Sequence, residues 1–392
     1  MTPPTPPSAH THLRCPRCDA RFPAAAALDG PCARCGGPLL ARYDLEAAAR
    51  TFPRSARALD ERPRDLRRFA ELLPLERPDE APRLGEGLTP LLPAPRLSAA
   101  LGVTVLLKDE ARNPTGSFKA RGMAVAVARA KELGARLVAA PSAGNAGVAL
   151  SAYAARAGVR ARVYLPRDVH ESVEPRCRAY GAEIESVDGF VTDAGKALLR
   201  DIAADPGAGL ANLATFREPC RVEGKKTMGL ELWADLDGAF PDVVVYPTGG
   251  GVGLIGIAKA AEELAALGLA PRGPRFVAVQ VDVCAPIARA FETGAARASP
   301  PAVDPGAART KAFGLRVPGT LADEMILSIL RRDGGLAVAV SEADLDRAAS
   351  RLAREEGVHC GPEAATTLAG LERAIAAGAV RPGERVVLLL TG

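Results

Sequence analysis

The sequence predicts an α/β protein of two domains with open, mostly parallel sheets, and three observations carry that reading. Its 392 residues exceed the about 250–300 at which a single hydrophobic core stops growing. From Val103 onward, short β-rich runs alternate with alanine-rich helical runs. The strand candidates are nearly continuous apolar runs, as expected where helices cover both faces of a parallel sheet.

Residues 1–12, rich in Pro, Thr and His, predict a loose leader that includes His10 and His12. A compact unit follows from about Leu13 to Tyr43. Next comes a connecting region with Arg50, Arg54, Arg57, Arg62, Arg64, Arg67 and Arg68, diluted by Asp60, Glu61 and Asp65. It reads as a solvated helical face; the rival, an anion or nucleic-acid patch, lacks interleaved aromatics. Strands are expected at Val103–Leu107, Leu137–Ala140, Ala161–Leu165, Ile184–Val187, Val243–Tyr246, Phe276–Val281, Leu336–Val340 and Val386–Leu390. Helices are expected at Met123–Leu133, Ala146–Ala157, Gly253–Leu267, Glu342–Glu356 and Glu363–Ala377, with Trp233 packed on a further helical run starting near Gly224. The Pro-, Ala- and Gly-rich stretch Thr293–Pro318 predicts a functional loop or excursion.

A net charge of +4, from 50 basic and 46 acidic residues, gives no reason to expect nucleic acid or a membrane as partner. Met1–Pro7 has neither a basic n-region nor an apolar h-region, and later apolar stretches are cut by Arg, Pro or Gly. The expectation is a cytoplasmic protein.

Cys15 and Cys18, then thirteen residues, then Cys32 and Cys35 make C-x2-C…C-x2-C. Each pair can turn two thiolates onto one ion, and the two pairs complete a tetrahedral structural Zn²⁺ site with no open position; a degenerate ribbon without metal, and an iron or redox role, are the rivals. Gly36 and Gly37 suit the turn leaving the second knuckle. So small a unit needs metal binding for its folding energy. Cys177, Cys220, Cys284 and Cys360 are scattered and read as small buried hydrophobes; His170 and His359 are read as surface residues.

Three loops point to chemistry. Asn113-Pro-Thr115-Gly-Ser117-Phe-Lys119 runs straight into a helix, and a helix N-terminus disfavours an ammonium, bringing Lys119 closer to the neutral amine that Schiff-base chemistry requires. The plain alternative is a surface lysine. Pro141-Ser142-Ala-Gly-Asn145-Ala-Gly147 follows a strand and opens a helix, presenting N–H groups to a carboxylate or phosphate; an ordinary strand-to-helix turn is its rival. Pro247-Thr-Gly249-Gly250-Gly251-Val252-Gly253 also joins a strand to a helix, and its glycines let the backbone curl around one phosphate. A dinucleotide loop is the obvious competitor, but G-x-G-x-x-G spacing and the Walker Lys and Ser/Thr are lacking.

On these segments, with Glu223-Gly-Lys225-Lys-Thr227, Pro362-Glu-Ala-Ala365 and Leu390-Thr391-Gly392, the chain resembles the fold type II pyridoxal-phosphate enzymes (tryptophan synthase β-like). Within them it is most similar to the threonine-synthase family in the form with an N-terminal zinc-ribbon-like extension. The resemblance spans Leu13 to Gly392. It implies pyridoxal 5′-phosphate on Lys119, Asn145 on the ring hydroxyl, Gly249 to Gly253 as phosphate cup, and Thr391 as neutral partner of the ring nitrogen. It also implies a leader at 1–12, a ribbon at 13–45, a large cofactor domain from 46–125 and 215–392, and a small mobile domain at 126–214.

The implied reaction takes O-phospho-L-homoserine and water to L-threonine and phosphate, with Lys119 moving the protons. The substrate is a small phosphorylated amino acid. Thr115, Ser117 and Lys225, with Arg121, Arg176 and Arg217, are candidates for its phosphate, and Ser142 for its carboxylate. A homodimer follows by analogy. Two departures stand out: Ala120 follows the lysine where many members have Asp, as in serine and threonine dehydratases of this fold. The family also usually continues past its late Thr-Gly with a glycine-containing segment, and this sequence stops at Gly392. The rivals are a dehydratase or β-replacement enzyme on the same cofactor, and a zinc-ribbon interaction module on an inactive α/β body.

Overall fold

A computed structural model describes residues 5–28, 30–189, 191–300 and 309–392. In chain order the first elements are β1 (His10–Arg14), β2 (Arg21–Pro23), β3 (Leu40–Tyr43), α1 (Leu45–Ala49), β4 (Leu91–Pro93), α2 (Pro95–Leu101), β5 (Thr104–Asp109), α3 (Lys119–Glu132) and β6 (Leu137–Pro141). Then come α4 (Asn145–Ala157), β7 (Arg160–Pro166), α5 (Val173–Ala179), β8 (Glu183–Val187), α6 (Val191–Ala204), β9 (Leu210–Asn212), α7 (Cys220–Asp235), β10 (Val243–Pro247) and α8 (Val252–Ala266). The chain ends through β11 (Arg275–Val281), α9 (Pro286–Glu292), α10 (Asp323–Arg332), β12 (Leu336–Val340), α11 (Glu342–Glu356), α12 (Pro362–Ala376) and β13 (Arg385–Leu390).

Every strand and helix expected from Val103 onward is present, because each apolar run is long enough to fill a doubly covered strand and each alanine-rich run is punctuated at its ends. Ser341 and Asp344 form a reciprocal capping box at the start of α11, and left-handed Gly357 ends it. The three-residue strands β4 and β9 are too short to leave a sequence period.

Two compact units emerge. The first comprises Met1–Leu88 and Asn113–Thr227, the second Thr89–Arg112 and Met228–Gly392. Among the described residues the first holds a three-stranded antiparallel sheet, β2-β1-β3, and a four-stranded parallel sheet, β8-β7-β6-β9. Its apolar core joins Leu13, Cys15, Cys32 and Ala41 of the N-terminal lobe to Met123 and Val127 of α3, Tyr153 of α4 and Cys220. The second unit, again among the described residues, holds the six-stranded sheet β12-β11-β10-β13-β5-β4, parallel except for β4. Its core runs through Val245, Val279 and Leu388 to Leu368 of α12 and Leu345 of α11. The expected boundary between 125 and 126 falls inside α3, an unbroken helix, and the contacts of Asn113–Val125 assign that segment to the first unit.

The leader expectation is corrected. His10 and His12 are strand residues: β1 pairs with β3 as well as β2, and the His10 ring packs 5.7 Å from that of Tyr43. The arginine-rich region is also corrected, from a solvated α-helical face to short 3₁₀ turns around Arg57–Glu61 and Leu66–Leu72. Buried Glu71 draws Arg62 into a two-pronged ion pair, and Arg68 is itself buried on the Leu59 carbonyl. In the stretch Thr293–Pro318, residues 301–308 lie outside the described residues. Beyond them Ala312 and Leu315 are buried, and the Gly314 N–H donates to Glu363 at 2.8 Å.

Candidate active site

In the first unit, Lys119 is the first residue of α3. The loop before it turns on Gly116, at φ +79° with its N–H on the Asn113 carbonyl, while Asn113 Oδ1 accepts the Gly87 N–H. Ser117, fully buried, accepts the Lys119 N–H at 3.4 Å, and the Lys119 Nζ lies 3.9 Å from the Phe118 ring centroid. The buried Thr115 hydroxyl has no hydrogen-bond partner among the described residues, while its carbonyl accepts from Arg176. Arg121 is fully buried and donates to Thr227, which ties α3 to α7. Arg217 is half-buried.

Lys225, on α7, is 1% exposed, and its Nζ has no hydrogen-bond partner among the described residues. It stands 5.3 Å from the same Phe118 ring, and a Cβ added to Gly122 would meet it at 2.6 Å. Lys225 therefore faces the first turn of the helix that Lys119 opens. Burial, with Arg221 and Lys119 adding repulsion against the pull of Glu218, holds its amine well below the usual lysine range.

Glu218 and Arg221 escaped the sequence reading. The Glu218 carboxylate accepts the Arg221 N–H at the head of α7, and burial pushes it up to about 7. Arg221 donates to the Leu213 carbonyl, and burial lowers its guanidinium from the usual value. The available signal was an acidic residue, then proline, just ahead of a helical run, the pattern of a capped helix start.

Asn145 opens α4 directly after the β6 turn. The Ser142 hydroxyl accepts from the N–H groups of Gly144 and Gly147 and donates to the Gly144 carbonyl, so it is spent on shaping that turn. Gly147 is required there, because a Cβ would press on Val163 at 2.8 Å.

In the second unit, the loop Gly249–Gly251 leaves β10 and α8 begins at Val252. A Cβ at Gly249 would strike the Gly314 carbonyl at 2.6 Å; at Gly251, where φ is +76°, it would overlap Ile326; at Gly253 it would overlap the Tyr246 hydroxyl. The loop therefore presents backbone alone. Buried Gln280, another residue missed from sequence, braces it: Nε2 donates to the Thr248 carbonyl at 3.1 Å, and Oε1 accepts from Ile287 and Ala288 at 2.8 and 3.1 Å. Thr320 donates to the Gly250 carbonyl. Thr391 follows β13, which lies beside β10, so glycine loop and hydroxyl stand at the carboxyl ends of adjacent parallel strands. Each unit, taken by itself, carries groups of the kind pyridoxal phosphate calls for: an amine at a helix start in the first, and in the second a side-chain-free loop at a helix N-terminus beside a neutral hydroxyl.

The four cysteine sulfurs lie within 4.8 Å of one another. Cys15 and Cys35 are 3.4 Å apart and Cys18 and Cys32 3.6 Å, near the roughly 3.8 Å edge of a tetrahedron with 2.3 Å metal–sulfur bonds. Each knuckle turns through a positive φ, at Asp19 and Gly36. The Gly37 N–H lowers the Cys35 thiol to about 7, whereas burial raises Cys15 to about 12. This donor set fits a thiophilic divalent ion.

The remaining cysteines are poor nucleophiles: burial raises the thiols of Cys177, Cys220, Cys284 and Cys360. His170 and His359 are exposed, and Trp233 is buried. No helix among the described residues is long and apolar enough to cross a membrane.

The family described as "Pyridoxal-phosphate dependent enzyme" matches residues 82–392. A threonine synthase of Methanosarcina acetivorans is 34% identical over 384 residues, covering 97% of this chain and 91% of its own length. That of Methanocaldococcus jannaschii is 33% identical over 360 residues, 91% of this chain and 86% of its own. Among solved structures, a T.th. threonine deaminase superposes with a TM-score of 0.63 at 29% identity, covering 78% of this chain and 92% of that one. Maize serine racemase, at 20% identity and a TM-score of 0.65 over 78% of this chain and 87% of that one, shares the fold. On its sequence, its two α/β units and its donor set, the chain belongs to the threonine-synthase family of fold type II pyridoxal-phosphate-dependent enzymes.

Proposed function

We propose that the chain converts O-phospho-L-homoserine and water to L-threonine and phosphate. The observation that carries the substrate reading is Lys225, a buried amine without a hydrogen-bond partner among the described residues, facing the first turn of the helix that begins at Lys119. A dianionic leaving group supplies the partner such a group lacks.

When bound, pyridoxal phosphate supplies an electron sink for the pair released at the substrate α-carbon. Lys119 would hold the cofactor through Nζ, with Asn145 for the ring hydroxyl, Gly249, Gly250, Gly251, Val252 and Gly253 for its phosphate, and Thr391 for the ring nitrogen. The Lys119 amine, when free, would take the α proton, assist transfer of a β proton to the γ-carbon as phosphate departs, and return a proton to the α-carbon as water adds its hydroxyl at β. Lys225, with the hydroxyls of Thr115 and Ser117, stabilises the phosphate as its bond to the γ-carbon breaks. Ser142 fixes the turn whose N–H groups meet the α-carboxylate. Cys15, Cys18, Cys32 and Cys35 hold a structural Zn²⁺. The reading includes a cytoplasmic homodimer.

Threonine and inorganic phosphate released in equal yield are the expected result of incubation with O-phospho-L-homoserine. Borohydride treatment of the holoprotein is expected to leave the pyridoxyl mass on Lys119 alone. A second reading, a dehydratase, is favoured by buried Ala120 after the lysine and by the likeness to a threonine deaminase; ammonia and a 2-oxo acid from serine or threonine, without turnover of the phosphorylated substrate, is the outcome that selects it.

A further inference from the structure

We propose that Tyr43, at the end of the cysteine lobe, is a positioning residue that sets where Lys225 stands by locking the opposite face of α7. This rests on the reading that Lys225 meets the substrate phosphate. Tyr43 closes β3, and its hydroxyl donates to Glu223 Oε2 at 2.8 Å. Lys226 pairs with that same oxygen at 2.6 Å, and its Nζ lies 4.1 Å from the Tyr43 ring centroid. Glu223 and Lys226 are fully buried. The His10 ring packs beside that of Tyr43, so β1 and β3 both contribute to the anchor.

The tetrapeptide Glu223-Gly224-Lys225-Lys226 serves two surfaces through helical periodicity. Residues four apart, Arg221 and Lys225, share one face; residues three apart, Glu223 and Lys226, share the other. The first face is pressed on α3: a Cβ at Gly224 would overlap the Arg121 carbonyl, and one at Gly122 would meet Lys225 Nζ and the Arg221 carbonyl, the latter at 3.0 Å. The second face is held by Tyr43. Between these contacts α7 has no room to roll, and roll decides where the Lys225 amine points. Leu13, Cys15, Cys32 and Ala41 share a core with α3, so the knuckles reach the site helix by contiguous packing, and the hydroxyl–carboxylate bond adds direction. The lobe thus contributes a specific contact to the substrate-binding face as well as fold stability.

Tyr43→Phe tests this, since it keeps the ring over Lys226 and removes only the hydroxyl. In the holoprotein, exchange of the backbone amides at 221–226 is expected to quicken about tenfold, with those of α4 unchanged. KM for O-phospho-L-homoserine is expected to rise about tenfold with kcat within about twofold, and the absorption of the bound cofactor to stay as in the parent. Glu223→Gln, which retains an acceptor for Tyr43 but removes the charge that buried Lys226 pairs with, is expected to shift the same readings at least as far. Unchanged exchange and KM overturn the proposal; so does a uniform loss of kcat, cofactor absorption and α4 protection, which marks general damage. If the parent protein does not turn over O-phospho-L-homoserine, the functional reading fails first, and amide exchange with the Kd of inorganic phosphate decides the positioning role alone.

Discussion

The two units build their candidate functional segments from different material. The first uses charged side chains sealed from water: Lys225, Arg221 and Glu218 are each 3% exposed or less. The second uses backbone, a loop whose three flanking neighbours, Gly314, Ile326 and Tyr246, exclude any side chain. The difference teaches what each part can respond to. A cluster of buried ionisable groups is tuned by proton uptake and neighbouring charge, whereas N–H groups at a helix start carry a fixed partial charge that pH does not alter.

The largest expected effect breaks the first unit's part outright. Lys119→Ala removes the amine proposed to hold the cofactor and move protons, so turnover is expected to fall by about 10⁴-fold or more, and the absorption of covalently held cofactor to vanish. The comparison requires that cofactor phosphate still be gripped. Equilibrium dialysis of this variant is therefore expected to retain measurable, non-covalent affinity for pyridoxal phosphate, and complete loss would mean that the loop contributes little alone.

Gly251→Ala is the matching break in the second unit. At φ +76° a Cβ is strained, and this one also collides with Ile326. Affinity for pyridoxal phosphate, measured by titrating the apoprotein, is expected to fall about a hundredfold. The loss should be the same at pH 6 and pH 8, because nothing in the loop titrates between them.

The asymmetry also explains what was legible in the sequence. Backbone-built features announce themselves, because a run such as Gly249-Gly250-Gly251 has few purposes besides close approach, and two C-x2-C pairs have few besides one ion. The longer strands of both α/β sheets were equally legible, since a doubly buried strand needs an unbroken apolar run, whereas three-residue β9 was not. Side-chain clusters are assembled from distant segments: Glu218 looks like any surface acid until the fold buries it under Arg221 and Lys225. Gln280 looks like a polar interruption in β11 until its amide is seen bridging Thr248 to the start of α9. The arginine-rich segment failed for the same reason in reverse, because only the fold reveals the buried Glu71 that captures Arg62.

Glu218 makes the pH contrast measurable. Burial raises its carboxyl from the ordinary 4.5 to about 7, so the folded protein binds this proton more tightly than the unfolded chain does. Below pH 4.5 both states are protonated and the group costs nothing. Between pH 4.5 and 7 its contribution turns unfavourable, reaching on the order of 3 kcal/mol above pH 7. Glu218→Gln keeps an oxygen for the Arg221 N–H and removes the charge. Its midpoint in urea is expected to exceed the parent's at pH 8 and to match it at pH 4; a gain that persists at pH 4 would trace the effect to packing instead of ionisation.

The smallest expected change in cofactor affinity probes how much of the second unit's rigidity comes from one side chain. Gln280→Leu preserves volume approximately but leaves the Thr248 carbonyl and the N–H groups of Ile287 and Ala288 without their buried partner. Unsatisfied buried groups cost about 1–3 kcal/mol each. Most of that should appear as lower stability, and a minor part as a loop that no longer holds its curl, lowering cofactor affinity about tenfold. Gln280→Glu separates the two: it retains the acceptor for α9, and when ionised it loses the donor to Thr248 and buries a charge, which costs stability. If the loop is held through Thr248, the Glu variant should weaken cofactor binding at pH 8 nearly as much as Leu, and recover it at lower pH as the protonated carboxyl donates to Thr248. Equal cofactor affinity in the Glu variant and the parent at pH 8 would assign the loop's shape to its glycines and to Thr320 alone.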